Sequence, residues 1–313
     1  MPNTFAHIVL FTWPLIVLIL FRAQPLRPAL VWAIVAGYLL LPIGTGFDLP
    51  LLPAVDKGLV LTGSAAILCL LTMRKQKRSP VQVPAGSASF DSLPTFQIQR
   101  GQPVFLGLFF VLLFTPFITV LQNGGPIVIG TRYLRGLELY DSFSMGLGLL
   151  VSIIPFLLGR RYLASENSPK IILRVLILAA LTNSCLILYE ARMSPQLNRM
   201  FYGFFPHSWV QHIRGGSFRP LVFLPHGLIL AIFVATAFLS SLVLWRSDQE
   251  ARSRSGWMIA TAILFGVLVL CHSLGALALG LMFCPLILLL GCRSQMIFAA
   301  VFAALVLIYP IMR

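Results

Sequence analysis

Of the 313 residues, 58% are hydrophobic and only 10% charged, which places the chain outside the range of soluble domains. The apolar runs are continuous and not alternating, so the expected fold class is all-α, a polytopic transmembrane helical bundle, because lipid leaves only helices or closed barrels with a satisfied backbone. The net charge of +14 comes from Lys and Arg scattered between the apolar runs, a pattern of membrane topology and not of a nucleic-acid-binding face.

At about 17 to 25 apolar residues per span, the sequence predicts ten helices, near 5–21, 28–44, 57–73, 103–121, 141–158, 171–189, 224–245, 255–271, 274–291 and 296–312. No Lys or Arg precedes Arg22 and no small-x-small cleavage site follows the first run, so that run reads as a retained helix. Residues 74–102, with RKQKRSP and VPAGSAS, read as a flexible cytoplasmic loop beside anionic lipid. Asp141 reads as a helix-start residue. From Trp257 to Leu290 no residue carries a formal charge; one helix would there reach about 50 Å, against a hydrocarbon core of about 30 Å. A break is therefore expected at His272-Ser273-Leu274-Gly275.

The larger share of Lys and Arg falls on the inner side if the N-terminus is outside, which puts residues 191–223 on the outer face. The whole chain, 1–313, reads as one transmembrane domain, with 191–223 as a periplasmic functional loop carrying short helices. The five cysteines show no metal-like pairing and read as packing residues. No GxxxxGK[ST], no GxSxG and no acidic cluster for a divalent cation is present, so neither ATP, a metal nor another cofactor is expected.

The external loop carries four arginines, Arg192, Arg199, Arg214 and Arg219, with no acid among them. Arg is the side chain suited to a forked grip on phosphate or carboxylate. Arg214 and Arg219 bracket Gly215-Gly216, a pair that permits left-handed backbone and free amides facing an anion. Pro225 and His226 open the next helix, where the dipole favours a bound anion. Glu190, at the end of the sixth helix, has two readings, a structural partner of Arg192 or a neighbouring arginine, and a general base. His207 and His212 match no metal spacing, and Tyr202, Phe204, Phe205 and Trp209 read as an interfacial aromatic belt.

The segment from Tyr189 to Leu228, YEARMSPQLNRMFYGFFPHSWVQHIRGGSFRPLVFLPHGL, resembles the signature region of the O-antigen ligase and exopolysaccharide polymerase superfamily. There an external loop ends in an arginine-glycine motif and a Pro-Asn or Pro-His helix start, the pattern matched by Arg219, Pro225 and His226. GYLLLPIGTGFDLPLLPAVDK, residues 37–57, is also similar to those members. A second family feature, a Ser-x-Ser-Arg-Gly-Ala-like run whose arginine holds the lipid pyrophosphate, corresponds to Cys271-His272-Ser273-Leu274-Gly275-Ala276; Leu274 fills the arginine position, and His272 is the candidate replacement cation. Family members continue for several more helices, so the resemblance implies a chain shortened at its C-terminal end.

The resemblance further implies a bacterial inner-membrane protein that transfers or polymerises undecaprenyl-pyrophosphate-linked saccharides at the periplasmic face, without metal or cofactor. Glu190 and His226 would be catalytic, and Arg192, Arg214, Arg219 and His272 would bind pyrophosphate. Its partners would be the lipid-linked oligosaccharide, membrane lipid and other polysaccharide-assembly proteins. Two other readings stand beside it: a transporter or flippase of an anionic lipid or metabolite, and a non-catalytic assembly subunit.

Overall fold

The computed structural model describes residues 1–47, 54–78, 102–206, 208–214 and 216–312. Their long elements are all helices: α1 Thr4–Ala23, α2 Leu26–Leu40, α3 Lys57–Arg78, α4 Gln102–Gln122, α5 Leu139–Tyr162 and α6 Ser168–Met193. After a short α7, Leu197–Tyr202, come α8 Gly227–Ser247, α9 Ala251–Leu270, α10 Leu274–Leu289 and α11 Cys292–Met312. Three two-stranded antiparallel hairpins lie between helices: β1 Gly46–Phe47 with β2 Val55–Asp56, β3 Ile127–Ile129 with β4 Arg132–Leu134, and β5 Ile213–Arg214 with β6 Ser217–Phe218.

The expected helices are present with shifted ends. Seven described helices, α1, α4, α5, α6, α8, α9 and α11, are long and apolar enough to cross a membrane, so this is a helical membrane protein. Leu26–Leu40, Lys57–Thr72 and Leu274–Leu289 are shorter apolar helices. α2 stops at Leu40, short of the expected 44, because Pro42 biases the residue before it away from helical backbone. Residues 74–78 of the expected 74–102 loop are the last turns of α3, and Gln102 opens α4; residues 79–101 lie outside the described residues.

The chain divides into two compact units, meeting in sequence between Ser168 and Pro169. In the first, Leu10, Trp13 and Val17, on one face of α1, pack with Ala33 and Leu41 of the α2 region and with Leu61 of α3. Gly37 makes this approach possible: a Cβ there would run into Leu61 and lie 3.0 Å from the Trp13 ring. Lys57 donates 2.8 Å hydrogen bonds to the carbonyls of Tyr38 and Leu41, so a cation at the start of α3 serves the exposed carbonyls at the end of α2. Asp141 is in the first turn of α5, and its Oδ2 accepts the Glu138 N–H at 2.8 Å, as a helix-start residue should.

In the second unit α8 is the central helix. Leu230, Val234, Ala237, Phe238 and Ser241 are buried, and α9 and α10 pack against it. Gly280 of α10 lets the helices close up: a Cβ there would sit 3.1 Å from Leu268 and 3.6 Å from Phe238. Ser241 and Thr261 share a 2.8 Å hydrogen bond between α8 and α9. Arg246, in the last turn of α8, donates to the carbonyls of Ile287 and Leu290 at the end of α10. The uncharged run breaks where expected. Cys271 ends α9, His272 adopts a left-handed φ of +46°, and Ser273 is the N-cap position of α10.

Candidate functional site

The segment from Met193 to His226 folds back onto the ends of α6, α8, α9 and α10, and one carboxylate holds it there. Glu190 is fully buried in the last turns of α6. Its Oε1 accepts the N–H of Leu197, at the start of α7, at 3.0 Å. Its Oε2 accepts the N–H groups of Leu221 at 2.9 Å and Val222 at 2.7 Å. A carboxylate is acceptor-only and suits three converging donors, none of which has a strand or helix partner in this turn. Val222 has a φ of +55°, an outlier for a β-branched residue, and its N–H is one of those held by Glu190.

This places Glu190 behind the loop as a positioning group, with its oxygens committed to backbone amides. Arg192, two residues on, is exposed in the last turn of α6. The turn at 221–224, where Leu224 N–H returns to Leu221 C=O, is also why α8 begins at Gly227 and not at 224.

The fixed turn sets the position of Arg219, whose side chain is only 6% exposed. Its N–H donates to the His212 carbonyl at 2.8 Å, and its Nη2 donates to Ser273 Oγ at 3.1 Å. The arginine stem lies against the start of α8. A Cβ on Gly227 would come within 2.9 Å of Arg219 Cγ and 2.8 Å of the Pro220 carbonyl, so glycine is required for that passage. Arg219, His272 and Ser273 line a cleft of about 570 Å³ whose remaining walls include Leu228, Leu268, Val269, Leu274 and Leu277. An arginine, a histidine and a serine therefore meet an otherwise apolar wall at the junction of α9 and α10.

His226 is the N-cap of α8, its Nδ1 accepting the Leu228 N–H at 3.0 Å. An accepting Nδ1 requires the neutral ring with its proton on Nε2, so in this geometry His226 offers a donor and not a base. His212 is fully buried, with its ring 5.5 Å from that of His226 and 5.4 Å, edge-on, from Phe205. Phe205 also meets Trp209 at 5.0 Å, so these rings pack on one another. Beside the cleft, burial pushes the Cys271 thiol up to about 12, with Arg219 acting in the opposite direction.

Of the residues expected at the site, Arg219 and His272 are brought together at the cleft, His226 caps the adjoining helix, and Glu190 braces the loop. Arg214 pairs with Ser217 through the backbone of the β5–β6 hairpin, where Gly216 has a φ of +78°. The Arg214 side chain, Gly215 and His207 lie outside the described residues. Ser273 and Gly227 were not singled out from the sequence; their roles arise from contacts with Arg219. Among the described residues, no three His, Cys, Asp or Glu side chains gather as a metal-holding group. No family model, no curated protein and no solved structure matches this chain.

Proposed function

We propose that the protein transfers or polymerises saccharides carried on a lipid pyrophosphate, at the periplasmic face of a bacterial inner membrane, and that Arg219 and His272 hold the pyrophosphate. The observation that supports this reading best is the cleft itself, where a nearly buried arginine and a histidine meet walls of leucine and valine. Such a site suits a ligand that is anionic at one end and hydrocarbon at the other. The resemblance of 189–228 to the O-antigen ligase and exopolysaccharide polymerase superfamily supplies the reaction. An acceptor hydroxyl attacks the anomeric carbon, the bond from that carbon to the pyrophosphate oxygen breaks, and the lipid pyrophosphate departs while the hydroxyl proton passes to it or to water. Charge growing on the leaving group is where a fixed guanidinium helps most. Ser273 keeps Arg219 aimed into the cleft, and Glu190 keeps the Arg219 segment in register.

Deletion of the gene in its own host, followed by analysis of surface polysaccharide and lipid-linked intermediates, tests this reading. Shortened or missing polysaccharide with accumulated lipid-linked oligosaccharide is expected. Unchanged polysaccharide and intermediates would refute it.

A further inference from the structure

We infer that the β3–β4 hairpin, between α4 and α5, is an interfacial membrane anchor whose two faces are both covered by lipid at the level of the headgroups. Its register pairs Ile127 with Leu134, Val128 with Tyr133 and Ile129 with Arg132. Since cross-strand partners share a face, Val128 and Tyr133 lie on one face and Ile127, Ile129, Leu134 and, by register, Arg132 on the other. Both faces are open. Val128 and Tyr133 are each 67% exposed, and Ile129 on the opposite face is 64% exposed. A two-stranded hairpin with nothing packed on it is marginally stable in water, so these faces require a cover.

The hairpin is also mounted firmly. Gly130, at a φ of +59°, is the first central residue of its two-residue Gly-Thr turn, the position where a type II′ hairpin turn needs glycine. At the stem, Leu137 N–H donates to the Asn123 carbonyl at 3.0 Å, and a Cβ on Gly136 would run into the Gly124 carbonyl. Arg135 lies 3.6 Å from Asp141 in the first turn of α5. The two connecting segments are therefore drawn together directly beside the helix ends.

Both helices that carry the hairpin are long and apolar enough to span a membrane. Four connecting residues on each side, 123–126 and 135–138, reach at most about 14 Å when fully extended, so the hairpin stays near the bilayer surface. Its strand edges carry unpaired backbone groups, which hydrocarbon does not tolerate but headgroups and interfacial water satisfy. A docked protein would cover one face and leave the apolar residues of the other wet, whereas the headgroup layer surrounds both and also suits the Arg132 position. Tyr133 and the 67%-exposed Arg135 add the aromatic and cationic groups that suit the headgroup layer.

The test uses the full chain with its native cysteines replaced, carrying a nitroxide at Val128→Cys or Ile129→Cys, in vesicles of phosphatidylethanolamine and phosphatidylglycerol. Tyr133→Cys reports the Val128 face again if that variant fails to fold. Collision with oxygen and with a water-soluble nickel complex is then measured. Labels on both faces should be reached by oxygen and shielded from nickel. Nickel access equal to that of a water-exposed label on either face overturns the proposal. Shielding accompanied by spin–spin broadening that vanishes on dilution with unlabelled protein also overturns it, since the cover would then be a second copy of the chain.

Discussion

The Val222 N–H sits 2.7 Å from Glu190 Oε2, tying a residue of left-handed backbone to a carboxylate at the end of a membrane helix. That bond, with its neighbours from Leu221 and Leu197, decides where the chain runs just after Arg219.

Replacing Glu190 by Gln tests the brace. The Gln amide keeps one oxygen, so in either orientation its NH2 group faces at least one backbone donor. An unmatched buried donor costs about 1–3 kcal/mol. Glu190→Gln should lower the unfolding temperature in detergent and speed proteolysis within 220–224. Arg192→Ala, at an exposed position, should stay within about 0.5 kcal/mol of the parent. Equal losses from both substitutions would instead point to a Glu190–Arg192 pair.

The sidedness of the loop follows from the positive-inside pattern and is open to direct labelling. Cysteines placed at Gln196 and Ser217, in a chain without native cysteines, should react with an impermeant thiol reagent in intact cells. Labelling only after lysis would put the cleft on the cytoplasmic side, away from a periplasmic lipid-linked glycan.

The apolar runs alone located the long helices and the break at His272, because lipid forces every spanning segment to satisfy its own backbone. What the sequence hid was long-range. The start of α8 depends on Glu190 gripping amides more than thirty residues away, which no local propensity encodes. Likewise, the Arg219 guanidinium donates to Ser273, 54 residues further along the chain, a contact that no local pattern announces. The end of α2, expected at 44, lies instead before Pro42, a local signal that the apolar run masked.

At the far end of α8, the Asp248 carboxylate accepts the Ser253 hydroxyl at 2.6 Å and the Trp257 indole N–H at 3.1 Å. These hydrogen bonds, Ser253 first, hold its pKa below the ordinary carboxylate value. With a depressed folded-state value, the stabilisation is present above the unfolded pKa of about 3.9 and is lost as pH falls through the folded one. The parent should therefore unfold at a higher temperature than Asp248→Asn at pH 5 to 7, and the gap should close below about pH 4. A gap that persists unchanged at pH 3 would show that the carboxylate charge is not responsible.

The central claim is that Arg219 grips a lipid-linked pyrophosphate, and elongation of a lipid-linked oligosaccharide by purified variants measures it most directly. A guanidinium offers a fork of donors that an ammonium cannot reproduce, and loss of one transition-state donor typically costs about 10²- to 10³-fold in rate. Arg219→Ala should fall by that range, Arg219→Lys should lose much of the activity, and His272→Ala should also be impaired. Arg199→Ala, a charge change on the exposed side of α7, should elongate like the parent. Equal, modest slowing by Arg199→Ala and Arg219→Ala would contradict the account, because the arginines would then act only as a diffuse attraction for an anionic lipid.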